Sequence, residues 1–397
     1  MTRLNAHGDA VGGPENLVSL DRDELIATAE RSTGLSDFGG ESWRPHFDVL
    51  GAALQSEAQL SVAGRLVART ELLRSLRQRL FLAEAWRNEP SILDEEIVAP
   101  VFVVGTGRSG TSILHELLAL DPANRTPLTW ELLHPGEAGD GSDARRVGHD
   151  VHAFWADLRP EYETMHHNHG DEPNECIFAT MLEFLSDQWA GTYEIPSYSA
   201  YLVATDQVDA YRYHRKVLQT LQWNRRGERW VLKAPSHLSQ LRTLFGVYPD
   251  ARVVQIHRDP LRSVPSTISL MGTLRAMRGD AVDVDSLASL VSVGYAMMLE
   301  NTMDARDSGA LPDEQFIDVR YADLMAEPVA TIESLYRSLG AVAPSGLGEA
   351  VTRHLDERPR GGRGAHAYEL ADTGLDEVAE RSRFARYQRR HDVPDEP

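Results

Sequence analysis

The 397 residues carry a formal net charge of -20 and a pI near 5.2, which argues against a general nucleic-acid surface and confines any anion site to a local basic pocket in an acidic body. A single cysteine, Cys176, excludes an internal disulfide and a cysteine-based zinc site. No apolar run approaches the ~20 residues that span a membrane, and Met1-Thr2-Arg3-Leu4-Asn5 lacks a signal core, so a cytoplasmic protein with one large α/β domain is expected.

Residues 1 to about 20 are polar and glycine-bearing and read as a loose arm. From Asp21 to about Glu95 the apolar spacing is helical, as in Leu72, Leu73, Leu76, Leu80 and Leu82. Residues 1–95 are therefore expected to form a helical N-terminal extension that packs on a sheet or lines an acceptor pocket, and residues 96–397 the main α/β domain. Strands are predicted at Val101 to Val104, Trp230 to Leu232, Val253 to Ile256 and Phe316 to Val319, each followed by helical patterning. That alternation predicts a P-loop-type, mainly parallel sheet flanked by helices on both faces. Gly136 to Ser142 and Arg358 to Gly364 read as loops.

The loop after the first strand is Gly105-Thr106-Gly107-Arg108-Ser109-Gly110-Thr111-Ser112. A buried strand, a glycine turn and a helix N-terminus in that order gather backbone N–H groups around one anion, and the helix dipole adds favourable potential. A nucleotide triphosphatase loop reads G-x-x-x-x-G-K-[ST], its lysine reaching the β/γ-phosphates. Here Gly105 and Gly110 keep the glycine spacing, Thr111 stands at the lysine position, and the loop's one cation is Arg108. The ligand is expected to be something other than a triphosphate.

Only two of the 40 basic residues are lysines, Lys216 and Lys233, so a lysine at the end of a predicted strand stands out against the arginine bias. Lys233 follows the second strand and Arg258 the third, with Ser266 eight residues further on. Ligands of open α/β sheets bind beyond the carboxyl ends of the strands, so these residues should converge on the loop.

Together these segments resemble the sulfotransferases that use 3'-phosphoadenosine 5'-phosphosulfate (PAPS), above all the bacterial branch and the related tyrosylprotein enzymes. The resemblance implies that Gly107, Arg108, Ser109, Gly110, Thr111 and Ser112 hold the 5'-phosphosulfate. It implies that Arg258 and Ser266 grip the 3'-phosphate, and that Tyr321, in Tyr321-Ala322-Asp323-Leu324, contacts the adenine. A phosphosulfate donor needs neither a β/γ-bridging lysine nor a magnesium ligand, which accounts for Thr111, and no metal is expected. The Arg360-Gly361-Gly362-Arg363-Gly364 stretch matches a basic glycine loop that closes over the 3'-phosphate in relatives.

Sulfuryl transfer needs positioning, a base for the acceptor, and positive charge at the bridging oxygen. Lys233 and Arg108 are the candidates for that charge, and Glu131 is the expected base, by resemblance to the glutamate of the tyrosylprotein enzymes. Cytosolic relatives use a histidine instead, so His237 and the cluster His166, His167 and His169 stay open for that role. The expected function is transfer of a sulfuryl group from PAPS to a hydroxyl, or an amine, of a small-molecule or lipid acceptor. The rivals are a P-loop kinase and a nucleotide-binding scaffold without chemistry.

Overall fold

In a computed structural model, which describes residues 2–137, 142–165, 169–279, 282–358 and 369–396, the apolar runs form one sheet in the order β2-β3-β1-β4-β5. Its strands are β1 (Val101–Val104), β2 (Asn124–Arg125), β3 (Arg229–Lys233), β4 (Arg252–His257) and β5 (Phe316–Arg320). All pairings are parallel, as the strand–helix alternation predicts. Strand β2 was not predicted: it is two residues long, has no apolar pattern, and exists because it lies along Arg229 and Trp230 of β3.

Both faces of the sheet are covered. Phe102 and Val104 of β1 point into one core with Leu232 and Val253, while Val101 and Val103 point into the other with Val231, Val254 and Ile256. With no solvent face, β1 reads as an unbroken apolar run and β3 and β4 as apolar centres with polar residues at Gln255 and the strand ends. The first core also takes Trp43, Leu72, Leu76 and Leu80 from the helices Trp43–Ser56 and Val62–Asn88. The second takes Leu114 and Leu117 from Thr111–Leu118 and Leu335 and Tyr336 from Pro328–Ser338.

One expectation for the N-terminal region changes. Residues Thr2–Ala10 form a helix, not a loose arm, because Gly8 lets the chain lie close on Val62: a Cβ there would stand 2.7 Å from the valine side chain. Asn5 Oδ1 also accepts a hydrogen bond from the Ala63 N–H at 3.3 Å. The helices between 22 and 88 share one core with Phe102 and Leu232 and line no part of the site cavity.

The register decides where the site falls. Val103 of β1 pairs with Lys233, Val104 with Gln255, and His257 of β4 with Arg320. The loop after Val104, the end of β3, Arg258 and Tyr321 therefore all emerge at the same carboxyl edge of the sheet.

Beneath β1 the core carries neutral histidines. His214 lies 2.7 Å from the Tyr248 hydroxyl, and burial pushes its imidazole down to about 3. His115 donates from Nε2 to the Val231 carbonyl at 3.0 Å, and burial, reinforced by the Lys233 ammonium, lowers it to about 4. Both rings should therefore keep neutral-imidazole ¹⁵N shifts when the folded protein is taken from pH 7 to pH 5. Imidazolium shifts at pH 5 would show that these rings reach solvent.

Candidate active site

The loop closes tightly because three glycines sit where side chains would collide. A Cβ on Gly105 would stand 2.8 Å from the Ile256 carbonyl oxygen, one on Gly107 2.3 Å from the Tyr295 hydroxyl, and one on Gly110 2.5 Å from the Tyr321 ring. Gly110 has φ +103°, and Arg108, a non-glycine residue, is held at φ +64°. A side-chain-bearing residue in the left-handed region costs of order 1–3 kcal/mol and persists only where its surroundings enforce it. Arg108 Nε donates to the Ser266 hydroxyl at 3.1 Å, and the Arg108 carbonyl accepts from Arg258 Nη1 at 3.0 Å. The turn thus aims the one loop cation at the residues after β4.

Gly110 caps the helix Thr111–Leu118, whose first N–H groups have no partner within the helix. Thr111, Ser112 and Ile113 line a cavity of about 400 Å³ together with Gly107, Arg108, Gly110, Arg258 and Tyr321. Ser109 differs from the other loop residues: it is fully buried and its hydroxyl donates to the Thr106 carbonyl at 2.6 Å, so its side chain braces the turn. Ser266 is buried behind Arg108. The Arg258 guanidinium lies over the Tyr321 ring at 4.2 Å, which joins the last two donor-site candidates into one stacked unit.

Lys233 is buried, and its ammonium donates to the Ser112 hydroxyl at 3.1 Å and to Glu175 Oε1 at 2.5 Å. Glu175 lines the same cavity. Its position follows from the segment that carries it: Asn174 N–H donates to the Pro127 carbonyl at 3.0 Å and Cys176 N–H to the Lys233 carbonyl at 2.9 Å, so Glu175 is pinned beside the end of β3. Sequence reasoning missed this residue, because an irregular acidic segment has no period and no motif spacing to Lys233.

Glu131 stands elsewhere. Its carboxylate takes Arg125 Nη2 at 2.8 Å and Nη1 at 2.9 Å, accepts the Leu128 N–H at 2.8 Å, and is 3% exposed. It does not line the cavity. The residue expected to be the catalytic base therefore stands away from the cavity, and its carboxylate braces β2 against the helix Thr129–Leu133. His237 is also walled off. Its Nδ1 lies 2.6 Å from the Tyr211 hydroxyl, its ring packs edge-on against Phe102, and burial holds it well below the usual imidazole range. His169 is exposed, while His166, His167 and the Arg360–Gly364 stretch lie outside the described residues.

The rest of the cavity wall is largely apolar, with Trp155, Ile177, Phe178, Leu270, Met271 and Leu274, plus one further carboxylate, Asp187. Asp187 is exposed to the cavity, and the protein packed around it pushes its carboxyl up to about 6. A second, open groove lined by Val329, Gly348, Glu349 and Arg353 holds none of the motif residues. Among the described residues, one group able to hold a metal is His257, Asp318 and His391, but Asp318 gives both oxygens to Arg306 at 2.7 and 2.8 Å, and none of the three lines the cavity.

Two substitutions test this geometry. Glu131→Gln should lower the free energy of unfolding by about 3–5 kcal/mol, the cost of leaving the buried Arg125 unpaired; an unchanged urea midpoint would show that the carboxylate is not a brace. Gly110→Ala should cost about 1–3 kcal/mol in the same assay through its left-handed backbone and the displaced Tyr321 ring. Wild-type stability there would mean that the turn is not held as described.

Comparison with known proteins identifies the family. The family model described as "Sulfotransferase family" matches residues 100–344, which include the loop, Lys233, Arg258 and Tyr321. The chain is 28% identical over 265 residues to the omega-hydroxy-beta-dihydromenaquinone-9 sulfotransferase Stf3 of Mycobacterium bovis, a match that covers 62% of this chain and 64% of that protein. It thus spans less than two thirds of that relative. The crystal structure of sulfotransferase STF1 from Mycobacterium tuberculosis H37Rv superposes with a TM-score of 0.80 at 32% identity, covering 92% of this chain and 98% of the other. The fold of sulfotransferase STF9 from Mycobacterium avium is similar as well, with a TM-score of 0.82 at 24% identity and 94% and 97% coverage. With more than half of its length matched and the matched span carrying the cavity's cations, the chain belongs to the sulfotransferase family.

Proposed function

We propose that this protein transfers a sulfuryl group from PAPS to the hydroxyl of an apolar acceptor, and that Glu175 is the base. The observation that carries the reading is the convergence on one cavity of Gly107, Arg108, Gly110, Thr111 and Ser112, of Arg258 with Tyr321, and of a carboxylate held by Lys233. The loop N–H groups, Thr111 and Ser112 take the 5'-phosphosulfate, with Ser109 bracing the turn; Arg258, with Ser266 behind it, takes the 3'-phosphate; Tyr321 takes the adenine. Among the described residues no helix is long and apolar enough to cross a membrane, and we place the reaction in the cytoplasm.

Glu175 accepts the proton of the acceptor hydroxyl as that oxygen bonds to sulfur. The bond from sulfur to the bridging oxygen of the 5'-phosphate breaks, and its electron pair leaves with adenosine 3',5'-bisphosphate. Lys233 and Arg108 offset the charge that develops on that oxygen. No step calls for a metal. The apolar wall from Ile177 to Leu274 and the omega-hydroxy-beta-dihydromenaquinone-9 for which the Mycobacterium bovis relative is named both favour a lipid alcohol as acceptor over an amine.

Thermal shift separates the donor classes. Adenosine 3',5'-bisphosphate should raise the melting temperature at concentrations where ATP with magnesium and NAD do not. Selective stabilisation by ATP and magnesium would turn the reading toward a kinase. For the base, Glu175→Gln should lower kcat by about 10²–10⁴-fold with bisphosphate binding retained. If Asp187→Asn has that effect and Glu175→Gln does not, the proton goes to Asp187.

A further inference from the structure

The Arg258 guanidinium is not waiting open for a phosphate. Its Nε lies 2.9 and 3.1 Å from the two carboxylate oxygens of Glu396, and its Nη2 lies 2.8 Å from one of them. Nη1 donates to the Arg108 carbonyl, and the Tyr321 ring covers one face. The edge that would present two parallel N–H groups to a phosphate is the edge that holds Glu396.

Glu396 reaches this position along a docked path. The helix Glu377–His391 ends at Asp392 in the left-handed conformation, which turns the chain back, and Val393 is buried with its N–H on the Gln388 carbonyl at 2.9 Å. Asp395 accepts from Arg381 Nη1 at 2.7 Å and from Gln388 Nε2 at 2.9 Å. The Glu396 N–H then donates to Asp259 Oδ2 at 2.9 Å, and the fully buried Asp259 takes Arg381 on its other oxygen at 2.8 Å. The backbone of residue 396 is therefore anchored to the residue next to Arg258.

We propose that Glu396 stands in for the donor's 3'-phosphate and sets nucleotide affinity by competing with that phosphate for Arg258. The inference rests on the assignment of Arg258 made under the proposed function. A phosphate monoester carries up to two charges and three acceptor oxygens against one charge and two oxygens on the carboxylate, so it displaces Glu396. Because the side chains of Arg258 and Glu396 keep 17% and 22% of their surface exposed, water shares the field and the displacement cost is moderate. The backbone anchor at Asp259 need not break, since rotation of the Glu396 side chain alone vacates the guanidinium edge. The consequence falls on release: the bisphosphate product carries the same 3'-phosphate as the donor, and a tethered carboxylate that reclaims Arg258 shortens its stay. Product release limits many enzymes.

The test compares two nucleotides that differ only in the 3'-phosphate. In titration calorimetry Glu396→Gln should bind adenosine 3',5'-bisphosphate about three- to tenfold tighter than the wild type, the gain set by the lost competition, while adenosine 5'-monophosphate binds both proteins alike. Glu396→Ala should repeat the pattern, which removes any role of the glutamine amide. If the wild type prefers the bisphosphate and Glu396→Gln leaves both affinities unchanged, the competitor role is overturned and the donor-site reading stands. Equal tightening for both nucleotides also overturns it, because a general change of charge then explains the gain. If the wild type shows no preference for the bisphosphate, the assignment of Arg258 falls and this inference falls with it.

Discussion

Lys233 and Glu175 form a buried pair that ties the two halves of the cavity together. The lysine ends β3 and touches the Ser112 hydroxyl of the loop helix, while the glutamate belongs to the wall that faces the acceptor. A buried ion pair repays its desolvation only when geometry is good and further hydrogen bonds are made. Here the ammonium has two oxygen partners, and the chain around Glu175 is fixed by the Cys176 N–H on the Lys233 carbonyl. The same backbone bond thus holds the residue that needs its charge partner next to that partner. Loss of either side chain removes this contact between the loop side and the wall of the cavity.

The loop gains from this arrangement what a triphosphatase loop gets from its own lysine. With Thr111 at the lysine position, the loop contributes backbone N–H groups and one arginine, and the second cation comes from a neighbouring strand. A strand-end residue is positioned by sheet register, here Val103 against Lys233, and packing on both faces makes that register stiff. Arg108 is positioned by a strained turn, and its contacts to Ser266 and Arg258 are what keep φ at +64°. The two cations are held by different means, one by the sheet and one by residues of the β4 segment.

Much of this was legible in the sequence because it is local. Val101 to Val104, Val253 to Ile256 and Phe316 to Val319 are short, mostly apolar segments rich in β-branched residues, and they become strands at those positions. The loop glycines announce a turn, and the arginine bias makes Lys233 conspicuous. What could not be read is pairing across long separations. Nothing in the spacing of Arg125 and Glu131 distinguishes a carboxylate that braces a strand from one that faces a ligand; only the two-residue strand β2, which exists by lying on β3, turns Arg125 onto it. Glu175 is silent for the converse reason, since its segment has no period and its partner is 58 residues away. The helix Thr2–Ala10 was missed because its propensity is poor and its support is tertiary.

The distribution of charge in the cavity sets a direction for the reactants. Arg108 and Arg258 line the cavity at the carboxyl edge of the sheet, with Lys233 behind Ser112 and Glu175, whereas Asp187 and the apolar residues Ile177, Phe178, Leu270 and Leu274 form the wall beyond. An anionic donor is drawn to the first end, and the body of an apolar acceptor is accepted at the second. An acceptor that carried its own anionic group beside the reacting hydroxyl would meet the like charge of Asp187. Glu175 sits between the two ends, bound to the donor side through Lys233 and open to the acceptor side through the cavity. Under the proposed function, a base at that boundary takes the acceptor's proton without leaving the cation assigned to the departing oxygen, so one ion pair would support both bond changes of the transfer.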